Sequence, residues 1–348
     1  MIVTHGPGAV RPVTTPSAVT IGNFDGVHLG HQAMLARVRE AARERSLQSC
    51  VLTFEPHPRE VFNPAAAPTR LTSMREKAEL LAGQGIEHTH VASFTREFAA
   101  LSPEAFVEQL LVGSLGARWV LVGDDFRFGA RRAGDLAALT ELGRRFGFEV
   151  EAMPTVTRSG ARVSSSAVRE ALAAGDLALA KTFLGRNYSI SGRVLHGDKL
   201  GRQLGFPTAN VQLEHNRPPL TGIFAVWFHC GEGAPAAGAK VYPGVASLGK
   251  RPTVKAADAH PVLEVHVFDF SGDLYGQHVR VEFMHKLREE EKYPDLETLK
   301  AQIARDCDEA RAILGARSLE NASEPASANA PATAPAAKSA SHPMTKNR

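Results

Sequence analysis

Cysteine is scarce. Cys50, Cys230 and Cys307 are odd in number and far apart, and no CxxC pair occurs. That argues against a disulfide framework and against a cysteine-based zinc cluster. It fits a reducing compartment, so a cytoplasmic protein is expected. Long apolar runs are missing as well. None reaches the roughly 18 residues that a membrane-spanning helix needs, and the segment from Met1 to Val13 has no apolar h-region. The expectation is therefore no membrane association and no signal peptide. A dominant charge is also lacking. The 348 residues carry a formal net charge of +3, too little to predict a polyanion-binding surface, and basic residues gather only locally, as at Arg127, Arg131 and Arg132. No nucleic-acid partner is expected. What remains is ordinary for a globular chain, 43% hydrophobic and 22% charged, with a length that suggests about two domains.

In the first half, apolar runs alternate with helical patterns. The expected strands are Ala18–Ile21, Cys50–Phe54, His90–Phe94, Trp119–Gly123 and Phe148–Ala152, with helices near 31–45, 74–83, 103–112 and 135–146. Ser73-Met74-Arg75-Glu76 reads as a capping box. Ser102-Pro103-Glu104 supplies an N-cap, a proline at the first helical position and an acid in the first turn. Alternation of this kind implies a parallel sheet covered on both faces. Ligands of such sheets sit beyond the carboxyl ends of the strands.

The stretch at that edge with the most chemistry runs from Gly22 through Asn23, Phe24, Asp25, Gly26, Val27, His28, Leu29 and Gly30 to His31. It leaves a strand and enters a helix, where unpaired backbone N–H groups suit a phosphate. Glycines at 22, 26 and 30 allow close backbone approach. His28 and His31 could face one phosphate from the first helical turn. Three further polar stretches are expected near this edge: Thr53-Phe54-Glu55-Pro56-His57-Pro58, Gly123-Asp124-Asp125-Phe126-Arg127-Phe128-Gly129, and Ser164-Ser165-Ser166-Ala167-Val168-Arg169. The serines either cap a helix or bind phosphate, and Arg169 lies one turn in, within reach of an anion at the helix start. His57, between prolines, reads by itself as a turn residue.

Past a helical break at Ala174-Gly175-Asp176 and a boundary near 184–187, the pattern turns to β: Tyr188–Leu195, Ile223–His229, Ala239–Ser247, Val262–Phe270 and His278–Phe283. Strands without intervening helices predict an antiparallel barrel or sandwich. A last helix is expected over about 294–314, with Leu296, Leu299, Ile303, Ala310 and Ile313 as its core stripe. From Ala316 on, Ala, Ser, Pro and Asn dominate, and a disordered tail over 316–348 is expected. The β half has its own glycine-rich stretch, which includes Gly197, Lys199 and Gly201 and would make a flap over a phosphate chain. Thr208 and Asn210, two apart on an extended segment, point their oxygens to one side, as a hard cation such as Mg²⁺ requires. Glu264 faces opposite Leu263, Val265 and Val267. It is either a solvated strand residue or a general base.

Taken together, these motifs resemble the bacterial bifunctional riboflavin kinase/FMN adenylyltransferase family, also called FAD synthetase. The likeness spans roughly residues 15 to 315. It rests on the HxGH turn from Gly22 to His31, on Phe54-Glu55-Pro56-His57-Pro58, on the 123–129 and 164–169 stretches, and in the β half on Gly205-Phe206-Pro207-Thr208-Ala209-Asn210, Leu263-Glu264-Val265-His266 and Leu274-Tyr275-Gly276. The resemblance implies a Rossmann-like nucleotidyltransferase domain over 1–184 and a small antiparallel kinase barrel with a C-terminal helix over 185–315. It implies that riboflavin is phosphorylated by ATP to FMN, and that AMP from a second ATP is then joined to FMN to give FAD and pyrophosphate.

By the same resemblance Glu264 is the kinase base, and Thr208 and Asn210 hold Mg²⁺ and phosphate. His28 and His31 steady the charge of the adenylyl step. Gly22, Asn23, Phe24, Asp25, Gly30, Ser164, Ser165 and Arg169 bind ATP phosphates, while His57, Asp125 and Arg127 line the flavin side. Phe224 and Ser247 stand where the family often has a tyrosine and an asparagine. The alternatives are a monofunctional FMN adenylyltransferase whose β half only binds flavin, and a nucleic-acid-binding protein.

Overall fold

A computed structural model describes residues 1–6, 15–197, 200–214, 217–231, 240–250 and 261–323. Lys199, the Arg251-Pro252-Thr253 segment and the tail from 324 lie outside the described residues.

The first half is a six-stranded parallel sheet: β1 Ile2–Gly6, β2 Ser17–Ile21, β3 Gln48–Glu55, β4 His88–Ser93, β5 Ala117–Gly123 and β6 Glu149–Met153, in the order β1-β4-β3-β2-β5-β6. The central strand β2 is buried along its whole length, which is why it reads as a continuous apolar run rather than an alternating one. From β2 the chain winds outward through β3 and β4, then crosses back to β5 on the other side of β2. The strand order therefore reverses between β2 and β5, and ligands of such sheets bind at the carboxyl ends of the strands at that point.

This half also carries α-helices. They are α1 Leu29–Arg45, the short α2 Pro58–Phe62, α3 Met74–Gly83, the single-turn α4 Arg96–Ala99 and α5 Pro103–Phe106, α6 Leu136–Phe146, α7 Ser165–Ala173 and α8 Leu177–Leu184. The capping box at α3 is present: Ser73 Oγ accepts from the Glu76 amide at 3.2 Å, and Glu76 Oε2 accepts from the Ser73 amide at 2.7 Å. The break near Gly175 separates α7 from α8, which Asp176 caps. The helix expected over 103–112 begins at Pro103, but from Val107 to Ser114 its turns widen to π geometry. Strand β1 was not anticipated. It is a five-residue edge strand, half exposed, and too short and polar to stand out as a pattern.

The second half is a closed antiparallel barrel of β9 Ser189–Leu195, β10 Ala209–Val211, β11 Gly222–Cys230, β12 Lys240–Lys250, β13 Pro261–Val267 and β14 His278–Arg288, ordered β10-β13-β12-β11-β14-β9. A two-stranded hairpin, β7 Thr157–Arg158 and β8 Ala161–Arg162, precedes it. The single turn α9, Leu200–Gln203, lies between β9 and β10. Strand β11 is buried on both faces. Phe224, Val226 and Phe228 fill the barrel, while Ile223 and Ala225 turn outward to meet α10, Leu296–Ser323.

The α10 stripe is Ile303, Cys307, Ala310 and Leu314. Leu296, expected in it, is 56% exposed, because the helix meets the barrel only from its second turn. The helix also runs on to Ser323, past the point where the tail was expected to begin; Ala, Arg, Leu and Glu in 316–320 are all good helix formers. A bidentate pair, Arg288 Nε to Asp306 Oδ1 at 2.9 Å and Nη2 to Oδ2 at 2.7 Å, ties α10 to β14. One apolar cluster runs through both halves, from Leu71, Val163, Val168, Leu172, Phe183 and Leu184 to the barrel interior. No helix of the described residues is long and apolar enough to cross a membrane.

Candidate active sites

A cavity of about 220 Å³ lies where the strand order reverses. The end of β2 gives it Ile21 and Gly22, and the end of β5 gives it Gly123, Asp124, Asp125 and Phe126. Phe24, His28, Gly30, His31, Arg162 and Ser164 complete the polar and aromatic part of the wall.

His28 is the N-cap of α1. Its Nδ1 accepts the His31 amide at 3.2 Å. A neutral imidazole that accepts at Nδ1 must carry its proton on Nε2, so the remaining nitrogen is a donor. The His31 ring stacks on that of His28, with centroids 3.7 Å apart and planes at 13°. Burial pushes the His28 pKa down to about 4, against the pull of the Asp25 carboxylate. Burial, and then His28 itself, hold His31 well below its ordinary value. Both rings are therefore neutral near pH 7. They are donors that bring no charge of their own until an anion arrives to favour one.

The loop between β2 and α1 is strained. Phe24 and Val27, both bulky and buried, have φ of 48° and 39°, a region that costs such residues about 1–3 kcal/mol each. Gly26, at φ 81°, has no room for a side chain: a Cβ there would meet Leu71 Cδ1 at 2.7 Å. A Cβ on Gly30 would meet the His28 ring at 3.2 Å.

Asp25 is placed otherwise than the sequence suggested. It is not part of the cavity wall. Its Oδ1 accepts from the Leu71 amide at 3.0 Å, the Thr72 amide at 3.0 Å and Thr72 Oγ1 at 3.1 Å, and its Oδ2 accepts from Arg169. Arg169 also donates to the Thr69 carbonyl. The two residues thus form a buried clamp that pins the 69–72 segment under the HxGH turn. Ser165 Oγ donates to the Asp25 carbonyl at 2.9 Å, and Ser164 caps α7 through the Ala167 amide at 3.2 Å.

Asn23 lies beside the cavity rather than in its wall, and its Oδ1 is buried without a partner. His57 caps α2 through the Arg59 amide at 3.2 Å, the turn role its sequence context suggested. Arg127 is on the surface and donates to the Phe126 carbonyl. Asp125 does line the cavity, paired with Arg162 at 2.7 Å. Arg162 was missed by sequence reasoning; its position two residues before the serine run was the available signal.

The second site is on the outer face of the barrel. Leu263 and Val265 are fully buried and Val267 is 9% exposed, so Glu264, between them, faces away from the core. The register sets three polar residues side by side across three strands: Asn210 opposite Glu264, and Glu264 opposite Ser247. The glycine stretch closes over this row. A Cβ on Gly197 would fall 2.3 Å from Asn210 Nδ2, and one on Gly201 would fall 3.2 Å from Thr208 Oγ1. Both glycines are thus in contact with the two residues expected to hold phosphate and metal. Ser247 donates to Glu290 Oε1 at 3.1 Å. Phe224, the other departure from the family pattern, lies in the barrel core against Phe283, with centroids 5.2 Å apart.

Residues 10–167 match the FAD synthetase family model and residues 184–314 match the riboflavin kinase model. The chain is 48% identical over 313 residues to the bifunctional riboflavin kinase/FMN adenylyltransferase of Pseudomonas fluorescens, covering 90% of this chain and 98% of that one. It is 47% identical to the protein of the same name from Escherichia coli K12, covering 85% and 92%. Among solved structures it is similar to a protein from Streptococcus pneumoniae described as a macrolide-efflux protein, with TM-score 0.73 and 27% identity, over 88% of this chain and 97% of that one. The match over 184–314 turns against the reading of the β half as a mere flavin-binding module.

Proposed function

The chain belongs to the bifunctional riboflavin kinase/FMN adenylyltransferase family, and we propose that its two reactions run at the two glycine-bordered sites. The C-terminal half is a riboflavin kinase and the N-terminal half an FMN adenylyltransferase. We take 1–184 and 185–315 as the two functional units and a reducing cytoplasm as their setting. That Cys50, Cys230 and Cys307 are all free thiols supports that setting.

In the kinase site, Glu264 accepts the proton of the riboflavin 5′-hydroxyl as its oxygen attacks the γ-phosphorus of ATP, and ADP leaves. Thr208 Oγ1 and the Asn210 amide oxygen, two residues apart on an extended segment, offer oxygen donors to one side. Such a set suits Mg²⁺, which takes its other ligands from phosphate and water. Thr208 and Asn210 would hold it, and when bound it neutralises charge on the transferring phosphoryl group. Gly197 and Gly201 let the flap backbone close on the phosphates.

In the adenylyltransferase site, a phosphate oxygen of FMN attacks the α-phosphorus of ATP and pyrophosphate leaves. His28 donates through Nε2 to the oxygens that gain charge, and His31, stacked behind it, shares that charge. Ser164 and the start of α7 face the phosphates, and Asp125 with Arg162 borders the flavin side. The observation that carries the reading is the stacked His28–His31 pair at the point where the strand order reverses.

The test is the product profile from riboflavin, ATP and Mg²⁺. The native enzyme yields FMN and then FAD. With His28→Ala and His31→Ala together, the sequence stops at FMN; FAD formation at the native rate by that variant removes the site assignment.

A further inference from the structure

From Asn23 to His28 the HxGH turn can be accounted for carbonyl by carbonyl. Asn23 O accepts from Thr53 Oγ1 at 3.2 Å, Phe24 O from the Val27 amide at 3.3 Å, Asp25 O from Ser165 Oγ at 2.9 Å, and His28 O from the Gln32 amide at 2.9 Å. All of those donors belong to the nucleotidyltransferase half. The two carbonyls left, Gly26 and Val27, immediately before His28, are held differently. Arg186 Nη2 donates to Gly26 O at 2.7 Å, and Arg186 Nη1 donates to Val27 O at 3.2 Å. Gln32 Nε2 bridges Val27 O at 2.9 Å and Leu184 O at 2.8 Å. Arg186 lies inside the riboflavin kinase match, two residues past the end of α8.

We infer that Arg186 is a positioning residue for adenylyl transfer, a guanidinium from the segment leading into the barrel that fixes the two peptides from which His28 projects. The inference rests on the assignment of His28 and His31 to that reaction.

The local chemistry favours this role over simple packing. One of the two carbonyls belongs to Val27, a β-branched residue at φ 39°, a backbone geometry that persists only when the surroundings over-determine it. The planar guanidinium fork fits two adjacent carbonyls, whereas an ammonium is a point donor. The cost of keeping it there is visible: burial lowers the Arg186 pKa to about 10. Its guanidinium donates to the carbonyls of Gly26, Val27 and Leu184, and the charge of Glu76 offsets part of the burial cost.

The test uses the full-length enzyme, which carries its own control. Arg186 is absent from the row of Asn210, Glu264 and Ser247, so riboflavin phosphorylation reports whether the chain is folded while FMN adenylylation reports the turn. Arg186→Ala is expected to lower kcat for FAD formation by about 10- to 100-fold, the scale of a sub-ångström to ångström misplacement of a catalytic group. The KM for ATP should change by less than about threefold, and riboflavin kinase activity should stay native. Arg186→Lys should recover part of the loss, since one ammonium still reaches a carbonyl. Gln32→Ala, which removes the other donor to Val27 O, should show a weaker loss of the same kind.

Native FAD formation by Arg186→Ala overturns the inference, and so does a parallel fall of both activities in Arg186→Ala and Gln32→Ala alike, which would make the contact merely structural. The variant with both histidines replaced is run beside them. If it still makes FAD, the site assignment itself has failed; if it does not while Arg186→Ala does, only the role of Arg186 has.

Discussion

Asp25→Asn separates a phosphate ligand from a clamp. The Asp25 side chain is 6% exposed and that of Arg169 16%. The carboxylate takes the Leu71 and Thr72 amides and the Thr72 hydroxyl on one side and the Arg169 guanidinium on the other. Asparagine has one acceptor oxygen and one NH₂. If its oxygen keeps the amides, its NH₂ faces a guanidinium, donor against donor; if it turns to Arg169, the amides lose their acceptor. Breaking a buried pair by removing one partner costs about 3–5 kcal/mol, and the retained oxygen puts this case near the lower figure. At about 2 °C per kcal/mol for a chain of this size, the thermal midpoint should fall by about 6 °C.

Arg169→Gln should be costly for the same reason, and the double variant should cost about 1 kcal/mol or more less than the two singles summed. Calorimetry gives the midpoints, and FAD formation measured well below them gives the activity. A native midpoint combined with lost ATP affinity would refute the clamp and return Asp25 to the phosphates.

Other expectations follow from the same geometry. Glu264→Gln should lower riboflavin kinase kcat on the order of 10²- to 10⁴-fold, the usual weight of a general base, while added FMN is still adenylylated; a kinase that is unaffected would make Glu264 a solvated strand residue. His28 makes stability depend on pH. Between about pH 6.5 and pH 4 the unfolded chain binds a proton that the folded chain does not, so stability is complete above about pH 6.5 and is lost as pH falls to about 4. The loss is up to about 3 kcal/mol, and His28→Asn should flatten that part of a melting-against-pH curve. Gly26→Ala should cost about 2–4 kcal/mol from its positive φ and the clash with Leu71; Leu71→Ala, at a fully buried site, should itself cost about 2–5 kcal/mol, and the double variant should cost less than the two singles summed by the steric part, as read by thermal melting.

What could be read from the sequence was local. The buried run of β2, the capping box of α3 and the alternation of Leu263, Glu264 and Val265 each lie within one element, where side-chain period and cap chemistry act directly. Residue identity was enough to place the glycines and histidines of the HxGH turn. The partners of those residues were not legible. Nothing near Asp25 says that it accepts from amides at 71 and 72, or that Arg169 turns to it and not to an incoming anion. The contacts of Arg162 and Arg186 depend on how strands and halves pack, and β1 acquires its place only by pairing with β4. Topology decides such contacts, and no periodicity records them.

The apolar cluster that passes through both halves has a further consequence. Boundaries between functional units usually fall in exposed, polar connectors with few contacts across them. The boundary proposed between these two units falls between Leu184, fully buried, and Tyr188, 4% exposed, with Arg186 donating to carbonyls of the preceding half. A protease nick there would not release two finished enzymes. It would leave each with a wet apolar scar, Phe183 and Leu184 on one side and Tyr188 and Ile190 on the other. The two catalysts are therefore expected to share a single melting event, and a graft of this barrel onto another nucleotidyltransferase would have to bring a matching Leu71 and Val163 surface with it.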